Sequence, residues 1–222
     1  RKAIGRIKEV LGDRSVPGLE VDIAIRTFDL PHVWPKAAIE EADEFPKEVT
    51  KGESESRFDL RDMPFVTIDG EDAKDFDDAV FTRQHEEGNW TLYVAIADVS
   101  HYVEIGSLIN KEALSRGTSV YFPGYVVPML PERLSNGLCS LKENVDRLSL
   151  VCEMEISKLG EIISYCFYEA VIHSHARMTY TDVADILAKP KDVNQENVTK
   201  RLRQKYAKLV SHIECLHALF QV

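Results

Sequence analysis

Residues 64–83 read PFVTIDGEDAKDFDDAVFTR, and how this stretch is read decides the fold. Its two ends, 64–68 and 78–83, are short apolar runs that read as strands bracketing an acidic loop. Inside the loop Asp69, Glu71, Asp72, Asp75, Asp77 and Asp78 stand against a single Lys74. Crowded carboxylates repel one another and gain protons more readily unless a cation neutralises them. In an extended backbone Asp75 and Asp77 share a side, while Asp69 returns from across the loop and Asp78 opens the next strand. Oxygen-rich clusters suit hard divalent ions, and Mg²⁺ completes its shell with water and substrate phosphate. Four carboxylates between two strand ends therefore fit metal-assisted phosphodiester chemistry. A merely solvated acidic loop is the alternative open to any acidic decapeptide. A calcium loop of the EF-hand kind fails on spacing: counted from Asp69, positions five and six are Ala73 and Lys74; counted from Asp75, they are Ala79 and Val80. Glu71 and Asp72 are expected to face solvent or pair with Lys74.

Outward from the loop the pattern stays rich in strands. Trp90, Leu92, Val94 and Ile96 share one face of 90–97, and Leu148, Leu150, Cys152, Met154 and Ile156 alternate along 148–156. Residues 162–172 are apolar on both faces, as in a central strand. Residues 108–116 read as a short helix, and 122–137, with three prolines and two glycines, as an ordered irregular loop. Upstream, Val21, Ile23 and Ile25 alternate with Asp22, Ala24 and Arg26, which predicts a strand and makes 1–30 the tail of a β-barrel; 31–56 reads as a linker. Downstream, Val198, Leu202, Tyr206, Leu209, Ile213, Leu216 and Phe220 recur at three- and four-residue steps. They predict one amphipathic helix running to Val222 without a C-cap signal, as in a chain cut within a domain.

The chain has 222 residues, 44% hydrophobic and 29% charged, which excludes a disordered or collagen-like polypeptide. No apolar run approaches the ~18 residues of a membrane span. Cys139, Cys152, Cys166 and Cys215 show no metal or disulfide spacing and behave as small hydrophobes, so a reducing, cytoplasmic setting is expected. The seven histidines read as structural; His212 and His217 lie five apart, off the spacing of a helical metal pair. The formal charge of −10 at first argues against nucleic acid. Nine of those ten charges, however, fall in two segments: 40–48 carries a net −4 and 69–78 a net −5. Arg133, Arg147 and Arg177 are candidate phosphate contacts, each open equally to an ordinary salt bridge.

Longer segments then carry a resemblance. RFDLRDMPFVTIDGEDAKDFDD (57–78), WTLYVAIADVSHYV (90–103), RGTSVYFPGYVVPMLPERLSNGLCSL (116–141), VDRLSLVCEM (145–154) and FYEAVIHSHARMTYTDV (167–183) resemble, in order, the catalytic domain of the ribonuclease II/ribonuclease R (RNB) family. GRIKEVLG (5–12) and VDIAIRT (21–27) resemble the end of that family's second cold-shock-type barrel. The resemblance implies an α+β chain: a partial OB-like β-barrel over 1–30, a linker over 31–56, and the N-terminal half of an RNB catalytic domain over 57–222, a mixed sheet with flanking helices. It implies processive 3′→5′ hydrolysis of RNA to nucleoside 5′-monophosphates, with Mg²⁺ as cofactor, the single-stranded RNA 3′ end as partner, and neither a membrane nor a stable protein partner. The family's aspartate quartet falls on Asp69, Asp75, Asp77 and Asp78 without a change of spacing. Asp69 and Asp78 are then direct metal ligands, Asp77 helps to activate water, and Asp75 completes the cluster. Tyr121 falls on the tyrosine that clamps the 3′-terminal bases, and Tyr180 on one that senses ribose. The family's arginine-bearing segment at the scissile phosphate, its second aromatic clamp and its downstream RNA-binding domain have no counterpart in these residues, so the chain alone is expected to be inactive. Two rivals remain: a non-catalytic RNA-binding relative and a calcium-stabilised interaction module.

Overall fold

The computed structural model describes residues 5–12 and 17–222. In chain order its α-helices are α1 (Leu19–Thr27), α2 (Lys36–Asp43), α3 (Lys51–Glu55), α4 (Val99–Tyr102), α5 (Leu108–Arg116), α6 (Tyr180–Leu187), α7 (Val193–Lys205) and α8 (Val210–Phe220), and a π-helical turn spans Leu134–Leu138. Its strands are β1 (Phe58–Asp59), β2 (Val66–Asp69), β3 (Asp78–Gln84), β4 (Trp90–Ala97), β5 (Val120–Phe122), β6 (Tyr125–Val127), β7 (Asp146–Ile156), β8 (Ile162–His173) and β9 (Ala176–Thr179). Two units separate: residues up to Glu44 with Val103–Pro131, and Phe45–Tyr102 with Glu132–Val222.

In the first unit the expected strand over 21–26 is instead helix α1, and among the described residues no strand precedes Phe58. Alternation would have put Ile23 beside Val21 and Ile25, yet Ile25 is buried and Ile23 is exposed. Charge placement favours the helix: Glu20 and Asp22 stand in the first turn and Arg26 in the last, complementing the helix dipole. Arg26 also reaches Asp22 one turn back at 3.0 Å. The expected linker 31–56 likewise carries helices α2 and α3. Within this unit Glu41 on α2 accepts from the Leu108 N–H at the start of α5 (2.8 Å), and Ala38, Ala42, Ile109 and Ala113 are buried. The expected irregular loop begins as a β5–β6 hairpin, with Tyr121 opposite Val126 and Gly124 at φ 74° in the turn.

The second unit holds a seven-stranded mixed sheet in the order β1-β8-β7-β4-β3-β2-β9. The two outer pairs, β1–β8 and β2–β9, are parallel and the rest antiparallel. Phe65, Phe81 and Tyr93 pack ring to ring at 5.8–6.4 Å. Val66, Ala176 and Met178 of β2 and β9 share a buried cluster with Ile186, Leu202, Tyr206, Leu209, Val210 and Ile213. The single helix expected over 198–220 is two, α7 and α8, broken at residues 206–209. The break lets Leu202 on one side and Leu209, Val210 and Ile213 on the other reach that one cluster. Strand β8 is central only at its end: Ala170 and Val171 pair with β1, while 162–167 pair with β7 alone and leave Tyr165 and Phe167 exposed. Among the described residues no helix is long and apolar enough to cross a membrane.

Candidate active site

The acidic loop joins two neighbouring antiparallel strands. Val66 of β2 lies opposite Val80 of β3, so Asp69, the last residue of β2, comes level with Asp77 and Asp78 at the start of β3. Oδ1 of Asp69 accepts from the Gly70 N–H at 2.7 Å, which starts the turn out of the strand. Asp69 and Asp75 are half-buried, whereas Asp77 and Asp78 stay open to solvent. The protein packed behind Asp77 still displaces water and pushes its carboxyl above the ordinary range. The negative charges of Asp75, Asp78 and Asp69 push it further. Asp78 is raised by the same desolvation and by Asp69. The quartet expected from the sequence is thus one electrostatic cluster. Among the described residues no three His, Cys, Asp or Glu side chains form a ready-made metal shell.

Arg177 tethers this loop. From β9 its Nη2 donates to the carbonyl of Gly70 (3.2 Å) and to that of Glu71, and its guanidinium lies 5.3 Å from the Phe76 ring. The other two candidate phosphate arginines are also committed to carbonyls: Arg133 to Phe45, and buried Arg147 to Ser140 (2.9 Å) and Asp146 (2.9 Å). Asp69 is paired with Thr179 across the parallel β2–β9 ladder, so Tyr180, exposed at the start of α6, stands one residue beyond Asp69 on the adjacent element. Tyr121 belongs to the other unit, where its ring is exposed on the β5–β6 hairpin.

Sequence reasoning missed two supports of the site. Ser140 hydrogen-bonds the backbone of the loop at Lys74 and Phe76. A serine with no exposed surface in the apolar run Leu138–Leu141 must find partners, which is the one signal that could have marked it. Just past β4, Asp98 receives the guanidinium of Arg57 at 2.6 Å, both side chains almost wholly buried. Burial alone would raise the Asp98 carboxyl; hydrogen bonds from Ser100 and Arg57 outweigh it and hold it below the ordinary range. The histidines make structural contacts, as expected: His101 with Glu53, His173 with Asp146, and His212 edge-on to Phe81.

Comparison with known proteins identifies relatives of this chain. Residues 57–221 match the family model of the RNB domain, and residues 1–35 that of a cold shock domain. Ribonuclease R of Escherichia coli (strain K12) is 53% identical over 221 residues, covering 100% of this chain and 26% of that protein. The chain thus spans about a quarter of the length of the first such relatives it matches, ribonucleases R of Escherichia coli and Vibrio parahaemolyticus among them. The structure of Mycoplasma genitalium RNase R in complex with double-stranded RNA superposes with a TM-score of 0.77 at 33% identity, over 91% of this chain and 36% of that one. Yeast Ssd1, described as a pseudonuclease, shares the fold at a TM-score of 0.67 and 20% identity, over 92% of this chain and 26% of its own.

Proposed function

Because the chain belongs to the RNB-domain family, we propose that it is part of an exoribonuclease that degrades single-stranded RNA processively from the 3′ end to nucleoside 5′-monophosphates, with Mg²⁺ held by Asp69, Asp75, Asp77 and Asp78. Since a pseudonuclease shares the fold, the fold cannot carry this reading; the carboxylates do. The observation that supports it most is the β2–β3 register, which brings Asp69 level with Asp77 and Asp78 and sets like charges against one another. A module that only binds RNA gains nothing from that repulsion. The donor set fits the ion: four carboxylates supply hard oxygen ligands, and the openness of Asp77 and Asp78 leaves room for water and phosphate. Bound there, Mg²⁺ would supply positive charge that offsets the repulsion and stabilises the negative charge developing on the attacking and leaving oxygens.

The chain's own residues do the rest. Asp69 and Asp78, at adjacent strand ends, are the proposed direct ligands, and Asp75 completes the set. An Asp77 carboxylate oxygen takes the proton of the attacking water. Tyr180, exposed one residue beyond the partner of Asp69, is the proposed contact to the terminal ribose, and the exposed ring of Tyr121 the proposed stacking surface for a base. The four cysteines are free, which suits a cytoplasmic enzyme. The complete polypeptide, given 3′-tailed RNA and Mg²⁺, is expected to release 5′-monophosphates. Asp77→Asn is expected to abolish release while RNA binding persists; undiminished release by that variant refutes the assignment.

A further inference from the structure

Between β2 and β3 the chain carrying Asp75 and Asp77 has left the β-ladder, and its peptide groups must find partners elsewhere. A single side chain supplies two of them. The Oγ of Ser140 accepts from the Phe76 N–H at 3.0 Å and donates to the Lys74 carbonyl at 3.0 Å. Those are the two groups, C=O of residue i−1 and N–H of residue i+1, that a parallel strand neighbour of residue 75 would engage. One hydroxyl therefore stands in for a strand partner of Asp75. The neighbouring backbone extends the support: Leu141 N–H donates to the Phe76 carbonyl at 2.8 Å, and Ala97 N–H to the Asp77 carbonyl at 2.9 Å. Ser140 is itself held, because its carbonyl accepts from Nε of buried Arg147 at 2.9 Å and its side chain has no access to solvent.

We propose that Ser140 is a positioning residue of the active site, whose hydroxyl fixes the backbone on both sides of Asp75 and so holds Asp75 and Asp77 in place for a divalent cation and the scissile phosphate. This rests on the reading of the acidic loop as the catalytic centre. Two of the four like charges, Asp75 and Asp77, stand on a segment outside the strands, where repulsion within the quartet would spread it, and a site whose carboxylates must first be gathered loses the advantage of preorganised charge. A buried hydroxyl bonded on both sides opposes that spreading without adding a charge of its own.

The test uses the complete polypeptide with Ser140→Ala, and Ser140→Cys as a second variant that nearly keeps the volume but bonds weakly. Three quantities are measured: kcat and KM on 3′-tailed RNA, Mn²⁺ affinity by calorimetry without RNA, and the thermal midpoint. The expected result is a folded Ser140→Ala protein with kcat lowered by about tenfold to about a hundredfold, the scale of a misplaced catalytic group. KM for RNA is expected to stay near the wild-type value and Mn²⁺ binding to weaken. Should Ser140→Ala fail to fold, Ser140→Cys is expected to show the same split. Either variant, folded and with wild-type kcat and wild-type Mn²⁺ affinity, overturns the proposal, as does a loss confined to the thermal midpoint. Absence of exoribonuclease activity from the wild-type polypeptide would instead refute the catalytic reading, and Mn²⁺ affinity would then decide the role of Ser140.

Discussion

Replacing Arg57 by Met removes the cation from a buried pair and leaves Asp98 behind. Side-chain exposure is 4% for Arg57 and 2% for Asp98, and the bond is 2.6 Å, so water cannot take over the role of the guanidinium. Asp98 would keep the Ser100 hydroxyl at 2.6 Å and the His101 N–H at 3.3 Å, both of them neutral donors. Stranding one member of a buried pair costs about 3–5 kcal/mol. Arg57 Nη1 has no hydrogen-bond partner in the wild-type chain, which moves the expectation toward the lower end, about 3 kcal/mol. For a chain of this size that is a fall in thermal midpoint of about 6–12 °C. The pH dependence gives the sharper check. In the wild type the Asp98 pKa lies below its unfolded value near 4, so the pair's contribution is complete above that value and is lost as pH falls through the folded pKa. In Arg57→Met only burial and two neutral donors act on the carboxyl, so protonation relieves the variant and its penalty shrinks as pH falls. Chemical unfolding of both proteins between pH 7 and pH 4 measures this. A penalty under about 1 kcal/mol at pH 7, the range of surface pairs, would refute the reasoning, as would a penalty that does not change with pH.

Two further outcomes follow from the site. Arg177→Met should lower kcat while leaving RNA affinity and its salt dependence nearly unchanged, because the guanidinium is spent on the Gly70 and Glu71 carbonyls; a clear drop in the salt slope of RNA binding would show a phosphate contact instead. Tyr121→Ala in the complete polypeptide should leave a longer final oligonucleotide, measured on a sequencing gel, and an unchanged limit product would remove Tyr121 from the clamp.

Much of the second unit was legible in advance because its signals are local. Side chains of a strand change face at every residue, and the runs at 64–68, 78–83, 90–97 and 148–156 all appear in the sheet within a few residues of where they were read, but the apolar face was not always the buried one: Ile96 and Leu150 are exposed, while Tyr93, Ala95 and Val151 on the opposite faces are buried. Where the same apolar spacing served two structures, the reading failed. Val21, Ile23 and Ile25 suit a strand, but the charges at either end of 19–27 and the exposure of Ile23 belong to a helix. The three- and four-residue steps of 198–220 held on both sides of 206–209, yet periodicity carries no mark of a break that only the shared cluster requires. Residues 162–172 were apolar on both faces, but a neighbour reaches only their C-terminal end.

By itself the sequence determined which residues are proposed to carry the chemistry: four aspartates at set intervals between two strands, inside a chain of RNB type. Intervals of that kind survive any folding of the rest, because strand and loop are built from neighbours in the chain. Only the tertiary structure decided what holds those aspartates. Ser140 comes from 64 residues beyond Phe76, and Arg177 from more than a hundred beyond Gly70. Such partners leave almost no local pattern. A buried serine or arginine is recognised by the backbone groups it satisfies, and those groups meet it only once the chain has closed around them.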